Sequence, residues 1–303
     1  MILTRKDDRV AVRCPAKLNL FLELHGRRPD GYHEIETVMQ AVTLYDDIEL
    51  SARSDGQIVL ECSDPDLPAG PGNLAWMAAD ILRRAVGLEA GVSISLTKRI
   101  PHGAGLGGGS SDAAGVLAGL DELFGLALSR ERLAALAGEL GSDIPFLIEG
   151  GTAVCRGRGE DVRPVPVARP TDYVICCPDC QLGTADVYAN VARFALTSEK
   201  HGASVVLESL ASGDLVSLRS GLFNRLGSVA LALAPEVARA RGALTRAASE
   251  EATVTGSGSA VYVAVDSAVR AEEAAGRMRA EDVGRVFVAQ TETQAAKRDG
   301  EGR

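Results

Sequence analysis

Residues 101–113 read PHGAGLGGGSSDA, and five of the seven residues from Gly103 to Gly109 are glycine. Glycine costs folding entropy, so a chain gathers this many only where its backbone bends sharply or comes close to something. The segment lies between a strand-like run, GVSISLTKRI (91–100), and a helical pattern, SSDAAGVLAGLDELFG (110–125). Ala113, Val116, Leu117, Leu120, Leu123 and Phe124 trace one apolar stripe at helical spacing. Ser110 or Ser111 is the expected N-cap, Asp112 suits the first turn and Gly125 the stop. A flexible linker would join domains; this glycine run sits inside a strand–loop–helix unit.

Three ligand-binding patterns fit in part or not at all. Gly103, Gly105 and Gly108 match G-x-G-x-x-G, but a dinucleotide unit needs a second strand with an acid at its end. Here a second helical segment follows, capped at Ser129 and stopped at Gly141. A Walker loop needs a lysine where this chain has Gly109-Ser110-Ser111, and a protein-kinase glycine loop lies between two strands. What remains is a phosphate cradle of another kind. Glycines let backbone amides converge, and the helix N-terminus adds positive potential. Ser110 and Ser111 offer hydroxyls to phosphate or to a magnesium ion. The loop has no lysine or arginine of its own, so a cation must come from elsewhere.

The 303 residues are 46% hydrophobic and 24% charged, the balance of a soluble globular chain long enough for two domains. The net charge of −9, with no basic patch, argues against a nucleic-acid partner. The N-terminal segment MILTRKDDRVAVR lacks the apolar core of a signal peptide, and no apolar run reaches the roughly 18 residues of a membrane span. A cytoplasmic protein without a membrane partner is expected. Cys177 and Cys180 have C-x-x-C spacing, but no second such pair exists to complete a four-ligand metal site. Cys176 and Cys177 end the apolar run YVICCP, so buried thiols packing as small hydrophobes are expected.

The segment CPAKLNLFLEL (14–24) alternates. Ala16, Leu18, Leu20, Leu22 and Leu24 fall on one face; Lys17, Asn19, Phe21 and Glu23 fall on the other. Period two predicts a strand with one buried face. A turn follows at RRPDGYH. NLAWMAADILRRAV (73–86) reads as a helix with Leu74, Met77, Ala78, Ile81 and Leu82 on one side. GSDIPF leads to a Gly150-Gly151 turn and the strand TAVCRG. PVPVARP (164–170), with three prolines, is the candidate domain junction. Beyond it come a strand at YVICC, several helices, strands around VTGSGSAVYVAV, a helix at 267–280 and a strand at GRVFVAQ. The polar residues from about Thr293 onward are expected to be disordered.

P-x-G-A-G-L-G-G-G-S-S-D-A-A resembles the second motif of the GHMP small-molecule kinases. CPAKLNLFLEL resembles their first motif and VTGSGSA (254–260) their third, glycine-rich one. RRPDGYHEIETVMQAVTLYDDIEL and GSDIPFLIEGGTAVCRGRGE resemble one branch, the kinases of 4-diphosphocytidyl-2-C-methyl-D-erythritol. The similarity runs from about Cys14 to about Val288, with the motifs in the same order.

The resemblance implies an α+β, two-domain GHMP kinase fold. An N-terminal ATP-binding domain of the ribosomal-protein-S5-domain-2-like type would span 1–163. A ferredoxin-like C-terminal domain would span 164–303, with the site between them. ATP with Mg²⁺ would phosphorylate the substrate's 2-hydroxyl, and the protein would be a monomer or weak homodimer. Other readings are a GHMP kinase for another small alcohol, or a silent nucleotide-binding regulatory protein.

Read from the residues alone, Asp143 caps the next helical turn and Lys17 is a solvated strand lysine. The resemblance makes Asp143 the base and Lys17 its partner at the transferred phosphoryl group, with Asn19 beside them. It assigns Tyr32 and His33 to the cytosine, Tyr188 to the other side of the base, and Thr184 to a substrate contact. The ATP loop would comprise Pro101, His102, Gly103, Ala104, Gly105, Leu106, Gly107, Gly108, Gly109, Ser110 and Ser111, with His102 as flanking structure. Asn73 reads equally as a helix cap and as a neighbour of adenine. Gly256, Ser257, Gly258 and Ser259 would form a turn near the phosphates. Two departures from the branch stand out: Gly183-Thr184 where Ser-Thr is usual, and LFNRLG (222–227), where Arg225 and Gly227 replace two acids and an effect on local packing is expected.

Overall fold

The computed structural model describes residues 1–194 and 201–292; the tail expected to be disordered lies outside the described residues. The first half runs β1 (Ile2–Lys6), β2 (Arg9–Arg27), β3 (His33–Arg53), β4 (Ile58–Cys62), α1 (Leu74–Val86), β5 (Gly91–Thr97), α2 (Gly108–Phe124), α3 (Arg130–Leu140), α4 (Ile144–Glu149), β6 (Thr152–Gly157) and β7 (Asp161–Pro164). The second half runs β8 (Asp172–Cys177), α5 (Thr184–Ala189), α6 (Val191–Phe194), α7 (Ser204–Ser212), α8 (Leu215–Gly221), β9 (Phe223–Asn224), α9 (Gly227–Leu233), α10 (Pro235–Ala248), β10 (Thr253–Val254), β11 (Val261–Val265), α11 (Ala268–Ala280) and β12 (Arg285–Gln290).

Two sheets result. The larger has the order β1-β2-β3-β5-β4, with β6 and β7 continuing from β3 and β9 lying parallel to β2. The smaller, β10-β11-β8-β12, is antiparallel and carries α10 and α11 against it, the ferredoxin-like arrangement expected. Thus β9, from the second half, adds to the first half's sheet. Among the described residues no helix is long and apolar enough to cross a membrane.

The helix after the glycine run packs onto the larger sheet through its apolar stripe. Leu117 and Leu120 are fully buried with Val12, Ile48 and Leu50, each such leucine stabilising by roughly 1.5–3 kcal/mol. Gly115 and Gly119 let α2 approach: a Cβ on either would collide with Cys14 Sγ or Leu50 Cδ1. In α1 the buried face is Ala75, Ala78, Ala79 and Leu82, while Met77 is 38% exposed. The expected stripe was one position off because small alanines, not Met77, face the neighbouring helix. Cys176 and Cys177 are buried in β8, as their apolar run predicts.

Two local expectations change. First, α2 begins three residues earlier than predicted. Its N-cap is Gly107 in the left-handed region (φ 72°, ψ 18°), with no side-chain cap bond. Glycine's freedom at positive φ supplies the turn that a serine cap was expected to make, so Ser110 and Ser111 lie inside the first turn. Second, β2 is buried on both faces from Cys14 to Leu24. A bulge between Asn19 and Phe21 breaks the alternation. Phe21 joins Ala16, Leu18 and Leu20 in one apolar cluster, while Leu22 and Leu24 join Ile35, Val187 and Leu226 in another. Leu22 therefore shares the cleft with Lys17 and Asn19.

Candidate active site

A cleft of about 1400 Å³ opens where the glycine loop, β2, the 28–33 turn, α5 and the 255–259 turn meet. That exceeds the roughly 300–1,000 Å³ of a single small-ligand pocket and leaves room for two ligands side by side.

Lys17 stands at its floor. β2 carries the lysine inward, and its backbone N–H donates to Leu106 O at 2.9 Å, tying the strand to the glycine loop. The Lys17 side chain is 5% exposed. Its Nζ lies 2.6 Å from Asn19 Oδ1 and 3.3 Å from Asp143 Oδ2. Burying an ammonium is costly unless it is paired and hydrogen-bonded, and here it is both. Asn19 is fixed in turn. Its Nδ2 donates to Thr37 Oγ1 (2.9 Å), its backbone N–H to Thr255 Oγ1 (3.0 Å), and its carbonyl accepts from Tyr262 Oη (2.9 Å).

Asp143 occupies the N-cap position of α4, but its backbone is helical (φ −82°, ψ −16°) and its carboxylate makes no cap bond. The capping role is thus not the one its side chain plays. The carboxylate is about one-third exposed and faces Lys17 across the cleft.

The glycine loop wraps this lysine. At Gly107 a Cβ would stand 2.9 Å from Lys17 Cγ. At Gly256 it would stand 3.2 Å from Lys17 Nζ and 3.3 Å from Asn19 Oδ1. The three sequence motifs therefore meet around one ammonium group, and any larger residue at these points would displace it. The first amides of α2, at Gly108, Gly109 and Ser110, have no acceptor within the helix and belong to residues lining the cleft. Of the two serines, Ser110 lines the cleft; Ser111 is fully buried, its Oγ without a partner among the described residues.

Behind the loop lies a lysine that the sequence reading did not single out. Lys98 Nζ would stand 3.2 Å from a Cβ at Gly108, and it pairs with Asp46 and, at 2.6 Å, with Asp112. Burial pulls the lysine's pKa down, but the two carboxylates outweigh it and raise it. Burial, together with the charge of Asp46, pushes Asp112 up to about 7 against the pull of Lys98. Nothing in the local pattern TKRIP marks Lys98 as buried, since its partners lie 52 and 14 residues away.

At the other end of the cleft, His33 and Tyr188 face each other with ring centroids 5.2 Å apart. Burial, aided by the charge of Arg27, lowers the His33 pKa and favours the neutral ring. Burial and the nearby charge of Asp143 raise Tyr188 to about 12. Tyr32 is 55% exposed, with the Arg158 guanidinium 5.1 Å over its ring. Thr184 Oγ1 lies 3.0 Å from Ser257 Oγ. Arg27 and Arg158 also line the cleft, and sequence reading passed over both. At the end of β2 and in the loop after β6, they read as ordinary surface arginines.

Other expected residues fall at the margin. Asn73 caps α1, accepting from Ala75 N at 2.9 Å and donating to Pro68 O at 2.9 Å; Leu74, not Asn73, lines the cleft. His102 lines it while bridging Asp64 (3.3 Å) and Gln181 (2.6 Å). Gly256 and Ser257 line it, but Gly258 and Ser259 do not; Ser259 Oγ donates to Cys180 O at 2.7 Å. Arg225, expected to affect packing, makes a buried two-bond fork to Glu23 (2.8 and 2.6 Å).

The chain is similar to known proteins in sequence and in fold. The model of the GHMP kinases N terminal domain matches residues 73–151 and that of the GHMP kinases C terminal matches 206–283. A protein of Shouchella clausii named 4-diphosphocytidyl-2-C-methyl-D-erythritol kinase is 40% identical over 264 residues, 86% of this chain and 87% of its own length. One of the same name from Symbiobacterium thermophilum is 42% identical over 267 residues, 88% of this chain and 93% of its own. The crystal structure of a 4-(cytidine 5'-diphospho)-2C-methyl-D-erythritol kinase, 36% identical, superposes with a TM-score of 0.78 over 92% of this chain and 98% of the other. A homoserine kinase from Cytophaga hutchinsonii, 18% identical, shares the fold with a TM-score of 0.73 over 96% and 97% of the two chains.

Proposed function

The chain belongs to the GHMP kinases, in the 4-diphosphocytidyl-2-C-methyl-D-erythritol kinase branch, and from that premise we propose how its cleft carries out the reaction. It is a small-molecule kinase that uses ATP to phosphorylate the 2-hydroxyl of 4-diphosphocytidyl-2-C-methyl-D-erythritol, giving the 2-phosphate and ADP, in the non-mevalonate route to isoprenoid precursors.

The observation that carries the site reading is the Lys17–Asp143 pair, 3.3 Å apart beside the glycine loop. Phosphoryl transfer asks mainly for positioning and charge neutralisation. In our reading the free amides of Gly108, Gly109 and Ser110 hold the phosphates of ATP at the helix N-terminus. Asp143 accepts the proton of the attacking 2-hydroxyl, worth typically ~10²–10⁴ in rate. Lys17, oriented by Asn19, pairs with the Asp143 carboxylate and faces the transferred phosphoryl group. Leu106, Pro101 and their loop neighbours wall the nucleotide, and Asn73 shapes that wall by capping α1. His33 and Tyr188 hold the cytosine, with Tyr32 at the rim and Thr184 toward the substrate.

Mg²⁺ fits the donors at hand. Magnesium takes oxygen ligands and is usually bound through substrate phosphates, water and one or two protein groups. Ser110 supplies a hydroxyl in the cleft, whereas buried Ser111 does not. When bound, the ion would neutralise charge on the phosphates. We further propose a cytoplasmic monomer or weak homodimer, without a nucleic-acid partner, and a domain boundary at 163/164.

An ADP-release assay tests the reading. ADP production should require the cytidine-diphosphate substrate together with ATP and Mg²⁺. Equal turnover of mevalonate or homoserine would overturn the substrate assignment.

A further inference from the structure

We propose that Phe223–Leu226 is a strut that fixes the third glycine turn and β2 into one frame around Lys17, with Asn224 and Arg225 as positioning residues for phosphoryl transfer. The proposal rests on the reading of Lys17 as the cation of the site.

Asn224 and Arg225 grip different parts of that frame. Asn224 Nδ2 donates to Val254 O at 2.8 Å and to Gly256 O at 2.7 Å, while its Oδ1 accepts from Leu226 N at 2.9 Å. The amide thus spends both donors on the strand-and-turn that carries Gly256, whose backbone closes over Lys17 Nζ and Asn19 Oδ1. Arg225 holds the other side. Its backbone N–H donates to Leu22 O at 2.8 Å, and its guanidinium forks onto Glu23. Leu226 then lines the cleft.

Glu23 is fully buried and also accepts from Leu24 N (2.8 Å) and His201 N (3.1 Å). A planar fork onto a buried carboxylate fixes orientation as well as distance. These side chains are needed because β9 itself pairs with β2 over only two residues, Phe21↔Phe223 and Leu22↔Asn224, too short a ladder to set a register alone. β2 carries Lys17 and Asn19 just before its bulge and Glu23 just after it. The strut therefore grips β2 on the far side of the bulge and the glycine turn that faces Lys17. Neither Asn224 nor Arg225 lines the cleft, so neither touches substrate.

The test compares Asn224→Ala, Arg225→Met and the double variant, assayed at a temperature where circular dichroism shows each folded. Small displacements of reacting groups can cost on the order of 100-fold in rate. We expect kcat per folded molecule to fall 10- to 100-fold, about that range, with the KM values for ATP and substrate within about threefold of wild type. The double variant should be no slower than the worse single one, because both break the same frame. Where Arg225→Met does not fold, Arg225→Lys, which keeps the charge but loses the fork, and Asn224→Ala carry the same comparison. An unchanged kcat with a lowered melting temperature would overturn the proposal, leaving the segment a packing element. Multiplicative losses, or a rise in substrate KM alone, would also overturn it. Failure of the site reading is separable: a fully active Asp143→Asn variant removes that reading, whereas normal kcat in the strut variants beside an inactive Asp143→Asn removes only the strut.

Discussion

Gly107 and Lys17 are packed so closely that a Cβ on the glycine would stand 2.9 Å from the lysine's Cγ and 3.2 Å from its Cε. This contact joins the loop, which has no lysine or arginine of its own, to a buried lysine on β2. It also explains why the glycine is required twice over, since Gly107 has φ +72°. Gly107→Ala should cost roughly 1 kcal/mol in backbone strain. It should also push Lys17 from its place, lowering kcat/KM for ATP by about 10- to 100-fold. Steady-state kinetics with ATP as the varied substrate measures this, and a near-normal kcat/KM would mean that the loop does not set the lysine's position.

The facing rings of His33 and Tyr188 make a prediction about recognition. Tyr188→Ala should raise the substrate KM by about 10-fold, the loss of one base–aromatic contact of ~1–3 kcal/mol, and leave the ATP KM near wild type. CMP should compete with substrate and UMP should compete less. Equal inhibition by the two, or by neither, would remove the cytosine from this end of the cleft.

Glu23 gives a pH dependence. Burial, the largest single influence, pushes its carboxyl up, but the hydrogen bond from Arg225, those from His201 N and Leu24 N, and the Arg225 charge bring it down from 4.5 to about 2. A carboxyl lowered in the folded state stabilises above its unfolded pKa, and that stability is lost as pH falls toward the folded value. Wild type should therefore melt well above Glu23→Gln at pH 7, and the gap should narrow between about pH 5 and pH 2. Melting temperatures across that range test it; a constant gap would mean that Glu23 is not ionised in the fold.

Much of this was legible in the sequence because it rests on local patterns. The glycine run, the α2 stripe, the Ser129–Gly141 helix and the β8 apolar run are short-range signals, and each element forms near where it is read. α2 starts before its serines predict because a glycine at positive φ can begin a helix without a capping side chain. A bulge leaves no mark in hydrophobic alternation, so strict alternation puts Phe21 and Leu22 on the wrong faces. Lys98, Arg225 and Asn224 were not legible as site-shaping residues. Their partners lie far away in sequence (Glu23 is 202 residues from Arg225), and only the fold brings them together. Asp143 could be reached only through family resemblance, since its position alone reads as a helix cap.

The role of Asp143 is tested most directly by single-turnover phosphoryl transfer in Asp143→Asn, with ATP affinity measured in parallel by calorimetry. With Asp143 as the base, the rate should fall by ~10²–10⁴, while the dissociation constant for ATP stays within about twofold of wild type. Transfer at the wild-type rate, or loss of ATP binding in step with the rate, would contradict it.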